Sequence, residues 1–362
     1  MTIQGSNKLS IIRYYVGLKS KIEKLKLMKV TQNIYEYIRR ARQIYREKGA
    51  KFFLKAILFK LQSRKASRNQ PVLEDWLAFY QIKNGAQYNL TQGKDTNQAP
   101  KVSILILTFN NLPVTQLCLF SIYANTTYSN FEIIVVDNAS HDETPSWLTK
   151  FAQTHSNLKV ILNDKNLGFA AGNNQAARES EGEYLIFLNN DTVVTKGWME
   201  RLLSYIREDP NVGLVGPVTN AIGNEARIPV TYSTPVEMEV FAENRASMMQ
   251  GQSFEIRMLA LYCVLTRKDH FTSLGWLDER FGVGMFEDDD LAVRYHQSNL
   301  KVICVEDVFI HHFQSMSFSK LKKEHYDKLF MENRKKYEDK WDRKWEPYHF
   351  RQELFQNRQQ TK

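Results

Sequence analysis

Four consecutive acids, Glu287-Asp288-Asp289-Asp290, follow a glycine-flexed loop at residues 282–286 and lead into a segment able to form a helix. Four adjacent carboxylates repel one another unless a cation, a cationic substrate region or a raised pKa relieves them. Two readings fit this run: a solvated helix start, since acids in a first turn suit the helix dipole, or a general base beside an anionic substrate and its metal. Asp191 offers a second chemistry. It follows the apolar run 184–188 and the polar pair Asn189-Asn190, where a carboxylate can ligate a hard divalent cation. Mg2+ and Mn2+ take one or two carboxylates and complete their shells with water and substrate phosphates. Asp137 ends another apolar run and is placed to accept hydrogen bonds from a base or ribose. Residues 166–174 (Asn-Leu-Gly-Phe-Ala-Ala-Gly-Asn-Asn) are small enough to let the backbone approach a ligand. These are parts of a nucleotide-diphosphate site held by a metal. No GxGxxG or GxxxxGK[ST] occurs, so dinucleotide and P-loop readings lose their main support.

The elements that must position these groups begin at Lys101. Residues 102–108 form a near-continuous apolar run of strand length, as expected for a strand buried on both faces of a parallel sheet. Further strands are predicted at 131–137, 158–162, 184–188 and 259–265, with helices at 114–123, 145–155 and 172–179. Strand–helix alternation with short connections predicts right-handed βαβ units and an α/β sheet. Polar residues close each early strand: Thr108, Asn110 and Asn111; Asp137; Asn166, Gly168, Asn173 and Asn174; Asn189, Asn190 and Asp191. In open α/β sheets ligands bind outside the carboxyl ends of the strands, so four polar strand ends are four walls of one crevice.

The flanks differ from this centre. Residues 1–70 carry 18 Lys and Arg against 3 acids, a local charge of +15, whereas the remaining residues sum to −6. Helices with apolar and basic faces are expected there, suited to an anionic membrane surface or to packing on a protein. Residues 71–100 read as a linker within which residues 74–80 dock, and residues 319–362 as a charged helical tail. Trp341, Trp345 and Phe350 of that tail are expected to pack on the domain. The positive charge lies away from the acidic site residues, which is not the pattern of a nucleic-acid enzyme. Three scattered cysteines read as buried free thiols. No stretch reaches the length of a membrane span and no secretory signal pattern is present, so a cytoplasmic protein, peripheral on the inner face of the membrane, is expected. A homo-oligomer is compatible with this composition.

Residues 102–318 resemble a family 2 glycosyltransferase of the GT-A fold, close to rhamnosyltransferase-like and cell-surface polysaccharide enzymes. The resemblance rests on residues 102–111, Val135-Val136-Asp137-Asn138-Ala139-Ser140, residues 166–173, Leu188-Asn189-Asn190-Asp191-Thr192, residues 213–217, residues 274–281 and Glu287-Asp288-Asp289-Asp290-Leu291. It implies a mostly parallel central sheet flanked by helices, within a domain spanning 101–318. It also implies an inverting, metal-dependent transfer of sugar from a nucleotide-diphosphate sugar to a hydroxyl of a glycan or lipid-linked acceptor. Carried over position by position, Thr108, Asn110, Asp137, Asn166, Gly168, Asn173, Asn190 and Glu287 fall on the nucleotide-sugar side. Asp191 binds Mg2+ or Mn2+, and Asp288 matches the catalytic base. A late histidine is the second metal ligand; His312 is the first choice, because Ser317 then meets a small hydroxyl position of the family, and His311 the second. Asp289 and Asp290 are expected to cap the following helix or orient Arg294. Two other classes remain: a non-catalytic nucleotide-sugar-binding scaffold, and a sugar nucleotidyltransferase, which would need a lysine- and glycine-rich phosphate loop.

Overall fold

The computed structural model describes residues 73–91, 99–313 and 323–351. The basic stretch 1–70, together with Gln314 and Ser317, lies outside the described residues. The first strand, β1 (Val102–Thr108), is followed by helix α2 (Leu112–Asn125), then β2 (Phe131–Asp137), α3 (Thr144–Ala152), β3 (Leu158–Leu162), α4 (Phe169–Arg178) and β4 (Tyr184–Asn189). Strands β1 to β4 are parallel in the order β3-β2-β1-β4. The apolar runs of β1, β2 and β4 are buried almost without interruption, because helices cover both faces, whereas β3 at the sheet edge is half-buried or exposed over most of its length.

The chain continues through β5 (Thr192–Val193), α5 (Trp198–Glu208), β6 (Val212–Thr219), α6 (Pro235–Met248), β7 (Ser253–Glu255), β8 (Cys263–Arg267) and α7 (Lys268–Ser273). A short 3-10 turn (Glu279–Phe281), α8 (Glu287–Gln297) and β9 (Lys301–His312) complete the sheet. Beyond β4 the order is β8-β6-β9-β5. Strand β8 is antiparallel to both neighbours, β6 is parallel to β9, and β5 and β7 pair antiparallel with β9. The architecture is thus α/β and mostly parallel, as expected.

Two expectations change. Within the stretch read as a linker, Leu73–Thr91 is a helix, α1, and Trp76 and Tyr80 on it are fully buried. Leu73, Trp76, Leu77 and Tyr80 fall at helical spacing and present one apolar face to the domain. Burying each aromatic contributes about 2–3 kcal/mol. The Tyr80 hydroxyl donates to Glu239 of α6, and Lys83 donates to Asn125 of α2 at 2.6 Å. Strand β8 also starts later than the predicted 259. Its pairing partner β4 ends at Asn189, so the ladder runs only from Tyr184↔Arg267 to Leu188↔Cys263. Leu259, Leu261 and Tyr262 are buried as irregular chain instead.

The tail folds as helix α9 (Lys323–Trp341) and a non-helical stretch to Phe350. Trp341 and Trp345 pack in a small core with Phe281, Phe286 and Tyr337, whereas Phe350 stays 45% exposed. All three cysteines are free and buried. No helix among the described residues is long and apolar enough to cross a membrane.

Candidate active site

Register brings the strand ends together. Thr108 is opposite Asp137, and Leu107 is opposite Asn189, so the termini of β1, β2 and β4 form one edge of a crevice. Asp191 follows β4 directly, and the two-residue strand β5 then pairs Thr192 with His312 and Val193 with His311. This antiparallel turn carries the end of β9 back to Asp191.

The histidine pair divides sharply. His312 Nε2 lies 3.2 Å from Asp191 Oδ1, while its Nδ1 meets the Ala221 carbonyl at 2.9 Å. An Nδ1–H donated to that carbonyl leaves Nε2 facing the carboxylate, the arrangement by which outer groups aim a metal-ligating imidazole. Asn220 fixes the same residue through its backbone, accepting from His312 N at 2.8 Å and donating to His312 O at 3.0 Å. The Tyr262 ring stacks on the imidazole at 5.1 Å. Burial alone would lower the His312 pKa, but the adjacent Asp191 carboxylate outweighs it and the pKa lies above the usual value. His311 faces the other way. Its Nδ1 meets the Tyr232 hydroxyl at 2.5 Å, and its ring packs on Trp76 of α1 at 4.6 Å. Burial, reinforced by its neighbour His312, pushes its pKa down to about 3. The alternation of side chains along β9 explains the division: successive residues face opposite sides.

Among the described residues no group of three or more His, Cys, Asp or Glu side chains converges on a cation position. Asp191 and His312 are the donor pair, and Nε2 is a buried atom without a hydrogen bond. One carboxylate and one imidazole fit a Mg2+ or Mn2+ that keeps water and substrate phosphates in its remaining positions.

The polar strand ends have mixed roles. Asp137 is buried; one carboxylate oxygen accepts from Ser140 N at 2.9 Å, and the other, Oδ1, has no partner. Thr108 is only 1% exposed, and its hydroxyl is engaged by Thr115 at 2.8 Å and Asn190 Nδ2 at 3.1 Å. Its side chain braces the crevice instead of lining it, because the small hydroxyl is enclosed where β1 enters α2. Asn110 takes a left-handed conformation (φ 58°) and accepts from His141 N at 2.8 Å, joining the β1 and β2 loops. Asn166 Oδ1 accepts from Asn138 Nδ2 and Gly168 N, both at 2.9 Å. Asn173 is buried and donates back to Phe169 O of its own helix at 2.9 Å. The Asn173 amide, expected to meet a ligand, is thus turned back onto its own helix, whereas Asn166 is exposed and only its Oδ1 is engaged by the protein. At Gly168, with φ +88°, a Cβ would lie 2.2 Å from the Gly282 carbonyl oxygen, and Phe169 N donates to that oxygen at 3.1 Å. This contact seats the loop before the acidic run against the loop after β3.

The acidic run occupies the first turn of α8, whose N-cap Phe286 is left-handed and makes no side-chain cap. Asp289 and Asp290 therefore do not cap the helix; they lie inside it. Asp290 is fully buried and holds Arg294 at 2.8 Å, with Lys340 at 2.5 Å and Trp341 Nε1 at 2.9 Å on its other oxygen. The Arg294 expectation fits this geometry. Asp289 accepts from Trp345 Nε1 at 2.9 Å and from the Tyr348 hydroxyl. Asp288 is half-buried and accepts from Asp289 N at 3.0 Å. Burial, with Asp289 and Glu287 nearby, holds its carboxyl well above the usual carboxylate range. Burial likewise raises Glu287 to about 7, and its Oε2 has no hydrogen-bond partner. A carboxylate poised in this way can take a proton near neutral pH. Asn138, Ala221, Tyr262 and Tyr348 were not singled out by sequence reasoning, and Trp345 only as a residue packing on the domain; Asn138 carried a signal, as the neighbour of Asp137 in a polar strand end.

Residues 103–275 match the family model described as glycosyl transferase family 2. This stretch, just under half of the chain, is thus similar to family 2 glycosyltransferases. It is 30% identical over 239 residues to the O-antigen biosynthesis protein RfbC of Myxococcus xanthus, covering 60% of this chain and 18% of that protein. It is 34% identical over 122 residues to the glycosyltransferase AglE of Haloferax volcanii, covering 33% of this chain and 40% of that one. The chain thus spans less than half the length of either relative. Among solved structures, a mannosyltransferase from Pyrobaculum calidifontis in complex with GDP-Man and Mn2+ superposes with a TM-score of 0.47 at 19% identity, covering 68% of this chain and 70% of that chain.

Proposed function

We propose that this glycosyltransferase is an inverting, metal-dependent enzyme that moves a sugar from a nucleotide-diphosphate sugar to a hydroxyl of a glycan or lipid-linked acceptor, in cell-surface polysaccharide synthesis. The observation that carries this reading is the division of labour between Asp191 with His312 on one side and the half-buried, pKa-raised Asp288 on the other. The O-antigen relative supports the polysaccharide assignment.

In this reading Asp191 and His312 Nε2 hold Mg2+ or Mn2+, which when bound offsets the negative charge of the leaving diphosphate. Asp137, with its unpartnered Oδ1, takes a donor from the base or ribose, and Asn190 and the backbone around Gly168 and Asn110 border the nucleotide. Glu287 borders the sugar. Asp288 accepts the proton of the acceptor hydroxyl as that oxygen bonds to the anomeric carbon. The bond from that carbon to the diphosphate breaks, and a nucleoside diphosphate departs. One displacement from the opposite face inverts the anomeric centre. The basic residues 1–70 would hold the enzyme at an anionic membrane carrying the acceptor; the full chain should then sediment with anionic vesicles and not with neutral ones.

A thermal-shift screen of UDP-, GDP- and dTDP-sugars with Mn2+, followed by measurement of nucleoside diphosphate release, tests the proposal. Stabilisation by one donor class with metal-dependent release is expected. Binding without release would favour the scaffold reading, and the absence of both would sink the enzymatic one.

A further inference from the structure

Asn333 of α9 lies beyond the matched domain, yet its side chain is fully buried against the acidic loop. Its Nδ2 donates to the carbonyls of Phe281 at 2.8 Å, Gly284 at 2.8 Å and Met285 at 3.3 Å. Its Oδ1 accepts from Lys336 Nζ at 2.9 Å, and Lys336 also donates to Arg280 O at 2.8 Å. The orientation of the carboxamide follows from chemistry: three carbonyls require the amide nitrogen, and an ammonium group requires the oxygen.

The loop so held is costly to build. Gly282, Gly284, Met285 and Phe286 all have positive φ, at 66°, 146°, 79° and 78°. For Met285 and Phe286 this conformation costs on the order of 1–3 kcal/mol each and persists only when the surroundings over-determine it. Asn333 supplies hydrogen bonds to the loop, and Phe330 and Trp345 enclose the Phe286 ring at 5.2 and 5.6 Å. The same segment binds the carboxylates of Asp289 and Asp290 but makes no side-chain hydrogen bond to Asp288 among the described residues. The tail therefore fixes the two acids that follow Asp288 and leaves the Asp288 carboxylate untied, while Glu287 Oε2 beside it is also without a hydrogen bond.

We propose that Asn333 is a positioning residue for sugar transfer: by holding the carbonyls of Phe281, Gly284 and Met285 it sets the left-handed loop from which Asp288 projects. This rests on the reading of Asp288 as the base.

The test compares full-length wild type with Asn333→Asp, Asn333→Ala and Asp288→Asn. Nucleoside diphosphate binding is read by calorimetry with Mn2+ and UDP, GDP or dTDP. Turnover is read as release of nucleoside diphosphate from UDP-glucose, UDP-N-acetylglucosamine, GDP-mannose and dTDP-rhamnose across pH, and loop mobility as hydrogen exchange of residues 282–286. Both Asn333 variants should lose turnover roughly 10- to 100-fold, shift the acid limb of the pH profile and exchange the loop amides faster. Their nucleotide affinity should stay within about three-fold, since Asn333 touches no part of the metal pair. Unchanged turnover and pH limb despite faster exchange would overturn the inference and leave a purely structural tie. Should Asn333→Asp fail to fold, Lys336→Met, which removes the group orienting the amide, is read in the same way. An active Asp288→Asn would instead overturn the base assignment; an inactive Asp288→Asn with wild-type Asn333 variants would overturn the positioning role alone.

Discussion

His312 Nε2 lies 3.2 Å from Asp191 Oδ1, whereas the ring of its neighbour His311 is turned into an aromatic pocket formed with Trp76 and Tyr232. His312→Ala and Asp191→Ala should each weaken Mn2+-dependent nucleotide binding by about ten-fold or more. His311→Ala should leave the metal dependence intact and cost about 2–4 kcal/mol of stability, because it opens a cavity in a packed core. Metal titration by calorimetry and urea denaturation separate the two; the reverse pattern would move the metal to His311.

Asp288→Asn should abolish sugar transfer, a loss of about 10²–10⁴-fold, while the nucleotide sugar still binds. Loss of binding in direct titration would contradict its role as base.

Transfer should rise with pH through a limb above the ordinary Asp range of about 4, because the base works deprotonated and its pKa is raised. A limb of kcat/KM at the ordinary value would refute this. The same shifts act on stability with the opposite sense. Glu287, at about 7, binds its proton more tightly folded than unfolded, so its contribution is present below the unfolded pKa and lost as pH rises through 7. Thermal midpoints of metal-free wild type should therefore fall between pH 5 and 7.5 relative to Glu287→Gln.

Gly168→Ala should disrupt nucleotide binding and destabilise the domain, since a Cβ at φ +88° meets the Gly282 carbonyl at 2.2 Å and neither backbone can yield cheaply. A variant with wild-type nucleotide affinity would show that the two loops are not seated on each other in solution.

Trp76→Ala should cost about 3–5 kcal/mol in urea denaturation, because Trp76 is 1% exposed and backs His311. A cost under 1 kcal/mol would mean that α1 contributes nothing to the domain.

The sheet was legible in the sequence because strands buried on both faces must be apolar throughout. The runs 102–108 and 131–137 therefore declare their own limits, and the polar residues that close them fall at the crevice; the run 158–162, an edge strand with Lys159 and Leu162 exposed, was legible only as a short apolar stretch. The candidates Asp137 and Asp191 could be found for the same reason, as acids at or just past the ends of apolar runs, whereas Asp288 stood out as part of four consecutive acids after a glycine-flexed loop. What each side chain faces was not local information. The choice between His311 and His312 depends on which side of β9 meets Asp191, and the amide of Asn173 turns inward only because the folded helix gives it the Phe169 carbonyl to meet. Helix α1 looked like linker because one apolar face among polar residues has no meaning without the surface it covers. Asn333 stands 52 residues from Phe281, whose carbonyl it binds. An asparagine in a charged helix gives no sign of that partner until tertiary packing buries it, and only there does a lone amide acquire three carbonyls to hold.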